Sequence, residues 1–114
     1  IACNLNLKLD ESLPVKIQVG IYRIIREAMN NVKKHALAKQ VNMGLRTDND
    51  GNLHLRIEDD GKGFDLERVL AVRGYTKNFG LTGMQQQAKL LGGTFTIESV
   101  KGRGTRIRVK VPLR

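Results

Sequence analysis

The sequence is poor in the residues that mark several protein classes. Cys3 is its only cysteine, which excludes an internal disulfide and fits a reducing compartment. Two widely separated histidines add nothing that spaces like a zinc site. No run of about 18 apolar residues occurs, so no segment reads as a transmembrane helix. Two prolines, 40% hydrophobic residues and the lack of repeats or low-complexity tracts exclude a disordered composition. No charged-then-apolar signal segment stands at the start. The first residue is Ile1, so we expect a piece of a longer protein or a processed chain.

What is present suits one domain, residues 1–114, with a modest core. Twenty Lys and Arg against eleven Asp and Glu leave a net charge of +9. That excess attracts phosphate as nucleotide, nucleic acid or anionic lipid, without choosing among them.

Periodicity sets the order of elements. Residues 3–9 alternate, with Leu5, Leu7 and Leu9 on one side, and read as a strand. Pro14 can open a helix at its first position. Over 15–38, Ile17, Ile21, Ile24, Ile25, Ala28, Val32 and Ala36 form one apolar stripe, with Gly20 as a weak point inside the helix. Strands follow at 41–46 and 53–57 around the turn DNDGN, where His54 falls on the polar side and reads as solvated. A short helix is expected over 65–72 and an aperiodic, mobile loop over 73–79. A helix over 81–91 stops at Gly92 and Gly93, and strands at 94–100 and 105–111 close the chain. The order predicts an α+β fold in two layers, helices on one face of a mixed or antiparallel sheet.

Four short patterns can carry chemistry. Glu27, Asn31 and Lys34 are spaced i, i+4, i+7, with Asn31 and Lys34 each within about 40° of Glu27 at the rim of the apolar stripe. A neutral amide oxygen suits a hard cation such as Mg²⁺, and an ammonium suits phosphate. Taken alone, the triplet also reads as ordinary helix decoration. In DDGKG, Asp59 follows a strand and can accept a hydrogen bond from an adenine amino group, while Gly61 and Gly63 let backbone approach a base. A tight acidic turn is the plainer alternative. In FGLTGM, Gly80 and Gly83 leave N–H groups free at a helix start, which favours phosphate, or they are merely flexible. KGRGT reads as a hairpin turn.

Together, in this order, the patterns resemble the histidine-kinase ATPase family, part of the superfamily shared with DNA gyrase and the mismatch-repair ATPases. REAMNNVKKHA looks like its N box, DDGKGF its G1 box, FGLTGM its G2 box, and GTFTIESVKGRGTRIRVKVP its closing strands. The resemblance covers nearly the whole chain, and YRIIREAMNN with the short loop before GLTGM is similar to the nitrate/nitrite-sensor subfamily. It implies a Bergerat-type ATP-binding fold with an ATP lid, using ATP and Mg²⁺. By position, Asn31 matches the Mg²⁺-ligating asparagine, Lys34 and His35 the phosphate and ribose side, and Asp59 the adenine-reading aspartate with its glycines Gly61 and Gly63. Gly80, Leu81, Gly83 and Met84 match the segment ending the lid, Thr105 the threonine near adenine, and Glu27 an acidic position that activates water in related ATPases. His35 also reads as a residue at the core edge. The implied partners are a helical dimerisation and phosphoacceptor domain and a response regulator. The implied parent is a membrane-anchored homodimer, with this domain on the cytoplasmic side.

Two rival readings remain at this stage. Arg106, Arg108 and Lys110, with Lys101 and Arg103 nearby, make one strand face basic, as in a nucleic-acid module, but no aromatic side chains interleave there as a stacking platform. A related ATPase or protein serine kinase would share the nucleotide residues and differ in its neighbouring domain.

Overall fold

Alternation decides the sheet. In β3 (Asn52–Asp59) and β5 (Gly104–Pro112), Leu53, Leu55, Ile57, Ile107, Val109 and Val111 are buried, while Arg56, Arg106, Arg108 and Lys110 between them are exposed. A sheet apolar on one face needs one covering layer. The computed structural model of the chain describes residues 2–9, 12–71 and 80–113, and not the side chains of residues 35 and 36. The expected loop over 73–79, and with it the lid, lies outside the described residues.

Helices form the covering layer. α1 (Val15–Asn31) buries Ile17, Ile21, Ile24 and Ala28; α2 (Leu66–Ala71) buries Val69; α3 (Leu81–Leu90) buries Leu81, Met84 and Ala88. β1 (Ala2–Lys8), β2 (Gln40–Thr47) and β4 (Thr94–Val100) complete a five-stranded sheet in the order β1-β2-β3-β5-β4. β1 runs parallel to β2 across the α1 connection, and the other pairs are antiparallel. This is the expected mixed, mostly antiparallel α+β sandwich.

α3 ends as its glycines imply. Gly92 has φ 75°, its N–H donates to the Lys89 carbonyl at 2.9 Å, and the Gly93 N–H donates to the Ala88 carbonyl at 2.8 Å. Gly20 is not merely a weak point. A Cβ there would stand 2.6 Å from Cδ1 of Leu91, so the missing side chain seats Leu91 against α1. Pro14 precedes the first helical residue instead of being it.

Two departures matter. The helix expected to run to residue 38 is α-helical only to Asn31 and continues as a π-helical turn, Val32–Ala36. Leu37 then takes a left-handed conformation with φ 51°. The cause lies downstream. The Asp60 carboxylate accepts from the N–H groups of Lys39 at 2.8 Å and Gln40 at 3.0 Å, and Ala38 is buried, so the chain must leave the helix before residue 38. Leu5 and Leu7 of β1 and Leu9 just after it do alternate, yet they stay 61%, 56% and 39% exposed. The core lies under β2, β3 and β5 and does not reach them.

Leu37 is 81% exposed, so its side chain gains little from burial while its backbone stays strained. The left-handed region costs a non-glycine residue roughly 1–2 kcal/mol, against about 0.5–1 kcal/mol for glycine's extra unfolded-state freedom. Leu37→Gly is therefore expected to raise the urea midpoint, by the equivalent of about 0.5–1 kcal/mol. A lowered midpoint would show that the Leu37 side chain contributes more than its conformation costs.

Candidate functional site

Asp59 and Asp60 are adjacent but have opposite surroundings. Asp60 is held by the two backbone N–H groups described above, which keep its carboxyl below the usual carboxylate range. Asp59 closes β3 with the parity of Leu53, Leu55 and Ile57, so its side chain points to the helix layer. Burial pushes its carboxyl up, against the opposing effect of hydrogen bonds from the N–H groups of Gly61 and Thr105, and the charge of Asp60 pushes it further. The Gly61 N–H donates to Oδ1 at 2.9 Å and orients the group.

Asp59 opens into a cavity of about 550 Å³. Ile57, Ile97 and Ile107 come from the sheet, Ala28, Asn31 and Val32 from the end of α1 and the π-helical turn, and Val69 from α2. Asn31 and Thr105 add polar groups, and Lys62, Arg68 and Lys101 outnumber the one further carboxylate, Asp65, so the rim is basic on balance. A largely apolar slot with few convergent polar groups and a perturbed carboxyl fits a planar ligand carrying negative charge.

The loop after β3 is fastened to the β4–β5 turn. The Gly102 N–H donates to the Lys62 carbonyl, and the Phe64 N–H donates to Ser99 Oγ at 2.9 Å. Ser99 Oγ in turn lies 2.8 Å from Thr105 Oγ1. Gly63, with φ 61°, passes so close that a Cβ would collide with the Val100 carbonyl. Its glycine requirement is met by protein backbone, whatever the cavity holds.

Of the residues singled out from the sequence, Asn31, Asp59, Gly63 and Thr105 line one cavity, and Gly61 orients one of them. Lys34 is exposed on the π-helical turn and does not line it, because that turn departs from the 100° step that put Lys34 beside Asn31. The side chain of His35 lies outside the described residues. Gly80 caps α3 with φ 65°, and a Cβ there would fall on the Glu27 carboxylate, so Glu27 and the start of α3 interlock beside the cavity. Gly83 is exposed, with open space around it. Leu81 and Met84 are core side chains at 4% and 1% exposure, leaving only their backbone for a ligand. His54 is not simply solvated: its Nε2 lies 2.7 Å from Asp48 Oδ2 across the β2–β3 turn, on the sheet face away from the cavity. The sequence reading gave no cavity role to Lys62, Arg68, Lys101 or Ser99. Lys62 lies inside the DDGKG motif and Lys101 was set with the basic strand face, Arg68 has no spacing signal, and Ser99 is visible only as an inward position of β4.

Residues 16–114 match the family described as histidine kinase-, DNA gyrase B-, and HSP90-like ATPase, and the chain belongs to that family. Its curated relatives include the sensor histidine kinase YdfH of Bacillus subtilis, 40% identical over 98% of this chain and 27% of the relative. DegS of the same organism, a signal transduction histidine-protein kinase/phosphatase, is 39% identical over 91% and 26%. This chain thus spans about a quarter of these relatives' length. Among solved structures, the ATP binding domain of PrrB from Mycobacterium tuberculosis is 26% identical, with a TM-score of 0.67 over 96% of this chain and 81% of that one. The histidine kinase domain of the Erythrobacter litoralis blue-light activated kinase is 21% identical and shares the fold, with a TM-score of 0.73 over 98% and 52%.

The Asp59 carboxyl titrates above its unfolded value, so the folded state holds that proton more tightly. Its contribution to stability is therefore largest at low pH and is lost as pH rises through the raised pKa. Asp59→Asn keeps an oxygen for the Gly61 N–H and removes the buried charge. The variant should unfold at higher urea than the wild type at pH 7, with the gap closing in acid. A variant less stable at pH 7 would mean that hydrogen bonding outweighs burial at this carboxylate.

Proposed function

We propose that this chain is the ATP-binding catalytic domain of a sensor histidine kinase, and that it binds Mg²⁺-ATP in the 550 Å³ cavity. The observation that carries the reading is the oriented, half-buried Asp59 carboxylate at the end of an apolar slot. Adenine carries an amino donor that this acceptor suits, and the isoleucines suit its faces. Thr105 stands beside Asp59 in the β3–β5 register and can add a contact, directly or through water.

Asn31 supports a metal position on the other wall. Among the described residues no three His, Cys, Asp or Glu cluster as a cage. A single amide oxygen fits Mg²⁺, which keeps several waters and is shared with substrate phosphates. When bound there, Mg²⁺ neutralises charge on the phosphate oxygens. Lys62, Arg68 and Lys101 at the rim favour an anionic ligand, and Lys34 and His35 remain candidates for the phosphate side when the site is closed. Glu27 supports the start of α3, and by position it can polarise the incoming nucleophile.

The nucleophile we propose is a histidine on a separate helical dimerisation and phosphoacceptor domain, with a response regulator receiving the phosphoryl group next. The parent is then a membrane-anchored homodimer with this domain on the cytoplasmic side. No helix among the described residues is long and apolar enough to cross a membrane. His54 has a carboxylate partner, which a phosphoacceptor needs, but the sheet separates it from the cavity. In-line transfer requires the nucleophile at the γ-phosphate.

Two measurements test this. GTP presents a carbonyl where ATP presents an amino group, so Asp59 would face an acceptor. A lost hydrogen bond to a charged group costs about 1.5–3 kcal/mol, so GTP should bind tenfold or more weakly, and equal affinities would remove Asp59 from base recognition. Incubated with γ-labelled ATP, the chain alone should gain no acid-labile label, and adding the parent's helical hairpin should produce it there. Label on the 114-residue chain itself would place the acceptor within it.

A further inference from the structure

The face of the sheet away from the helices carries a second, oppositely built site. In the pairing register, Lys8, Arg46, His54 and Lys110 stand in one row across β1, β2, β3 and β5, and Gly44, Arg56 and Arg108 in the next. Adjacent strands lie about 4.8 Å apart, so the five Lys and Arg side chains crowd one patch. Among the described residues no carboxylate lies within ion-pair distance of Lys8, Arg46, Arg108 or Lys110, and Arg56 reaches only Glu58, at 3.7 Å. The one nearby histidine is already engaged by Asp48. Like charges directly opposite on neighbouring strands destabilise a sheet.

The patch is also hollow. Gly44 lacks a side chain at its centre, and the surrounding residues enclose a basin of about 540 Å³. A Cβ on Gly44 would stand 3.6 Å from Nη2 of Arg56, so glycine is not required by packing there. Its φ is not left-handed either. We propose that this basin binds a compact, multiply charged phosphate compound, distinct from the nucleotide of the cavity on the opposite face.

Charge density selects that ligand. An acidic peptide in extended form presents carboxylates on one side only every second residue, roughly 6.6–6.8 Å apart. That is too sparse to neutralise five cations in one basin. Arginine forks pair bidentately with phosphate oxygens, and three of the five cations are arginines. Among the described residues, no aromatic side chain lines the basin for base stacking.

The test titrates the whole chain with inorganic tripolyphosphate at near-physiological salt, by calorimetry and by backbone amide shifts. The shifts locate the ligand, since the nucleotide cavity can also attract phosphate. We expect saturable binding with shifts centred on Gly44, Arg56 and Arg108, unchanged by Asp59→Asn. Arg56→Gln with Arg108→Gln should weaken it at least tenfold while ATP binding in the cavity stays as in the wild type. Gly44→Gln fills the basin without changing charge and should weaken it comparably. Shifts confined to the cavity, undiminished binding in either variant, or tighter binding of random duplex DNA or phosphatidylserine vesicles to this face would each overturn the proposal.

Discussion

The parity of β3 is the constraint on which both faces of the molecule depend. Leu53, Leu55, Ile57 and Asp59 share one side of the strand, and His54, Arg56 and Glu58 share the other. Burying the first three under the helices forces Asp59 into the same layer. It sits at the strand end, where the cavity begins instead of the packed core. A slip of one residue would exchange the two sets, sending Asp59 to solvent and His54 into the core. The same hydrophobic burial that holds the fold thus aims the acceptor.

Asp60 then fixes where the strand must end. Its carboxylate ties the β3 terminus to the backbone entering β2, which pulls the chain out of the long helix and into the left-handed Leu37. On the far side, the contacts of Lys62, Gly63 and Phe64 with the β4–β5 turn hold the outer wall. The cavity is bounded by two tethers, one from each end of the loop after β3.

Much of the fold was legible because one-sided burial writes a period into the sequence. β2, β3, β4 and β5 fall within a residue or two of their alternating runs, and α3 stops at the glycines whose N–H groups donate to its last carbonyls. What periodicity could not express was long-range tethering. The π-helical turn follows from Asp60, more than 20 residues away in sequence, and the His54–Asp48 pair follows from closure of a hairpin. The site divides the same way. Asp59 and Asn31 stood out because polar residues at the border of an apolar pattern are conspicuous. Leu81 and Met84 illustrate the opposite case: they lie inside a glycine-rich motif, yet their spacing of three turns both side chains into the core.

The two carboxyls of the DD pair show how function and stability separate at neighbouring positions. Asp60 is exposed, and the backbone N–H groups of Gln40 and Lys39 favour its ionised form. Asp59 accepts from the N–H groups of Gly61 and Thr105, yet burial beside the apolar walls outweighs them and raises its carboxyl. On the proposed reading, a ligand donor would offset part of the desolvation that raises this carboxyl, so binding would relieve that penalty. The same argument explains why the neighbouring polar groups are so few. Each additional buried acceptor would raise the penalty on Asp59, whereas Thr105, already linked to Ser99, offers a hydroxyl without adding charge. On the proposed reading, selectivity would come from the Asp59 acceptor held by Gly61, with the basic rim contributing attraction and little discrimination.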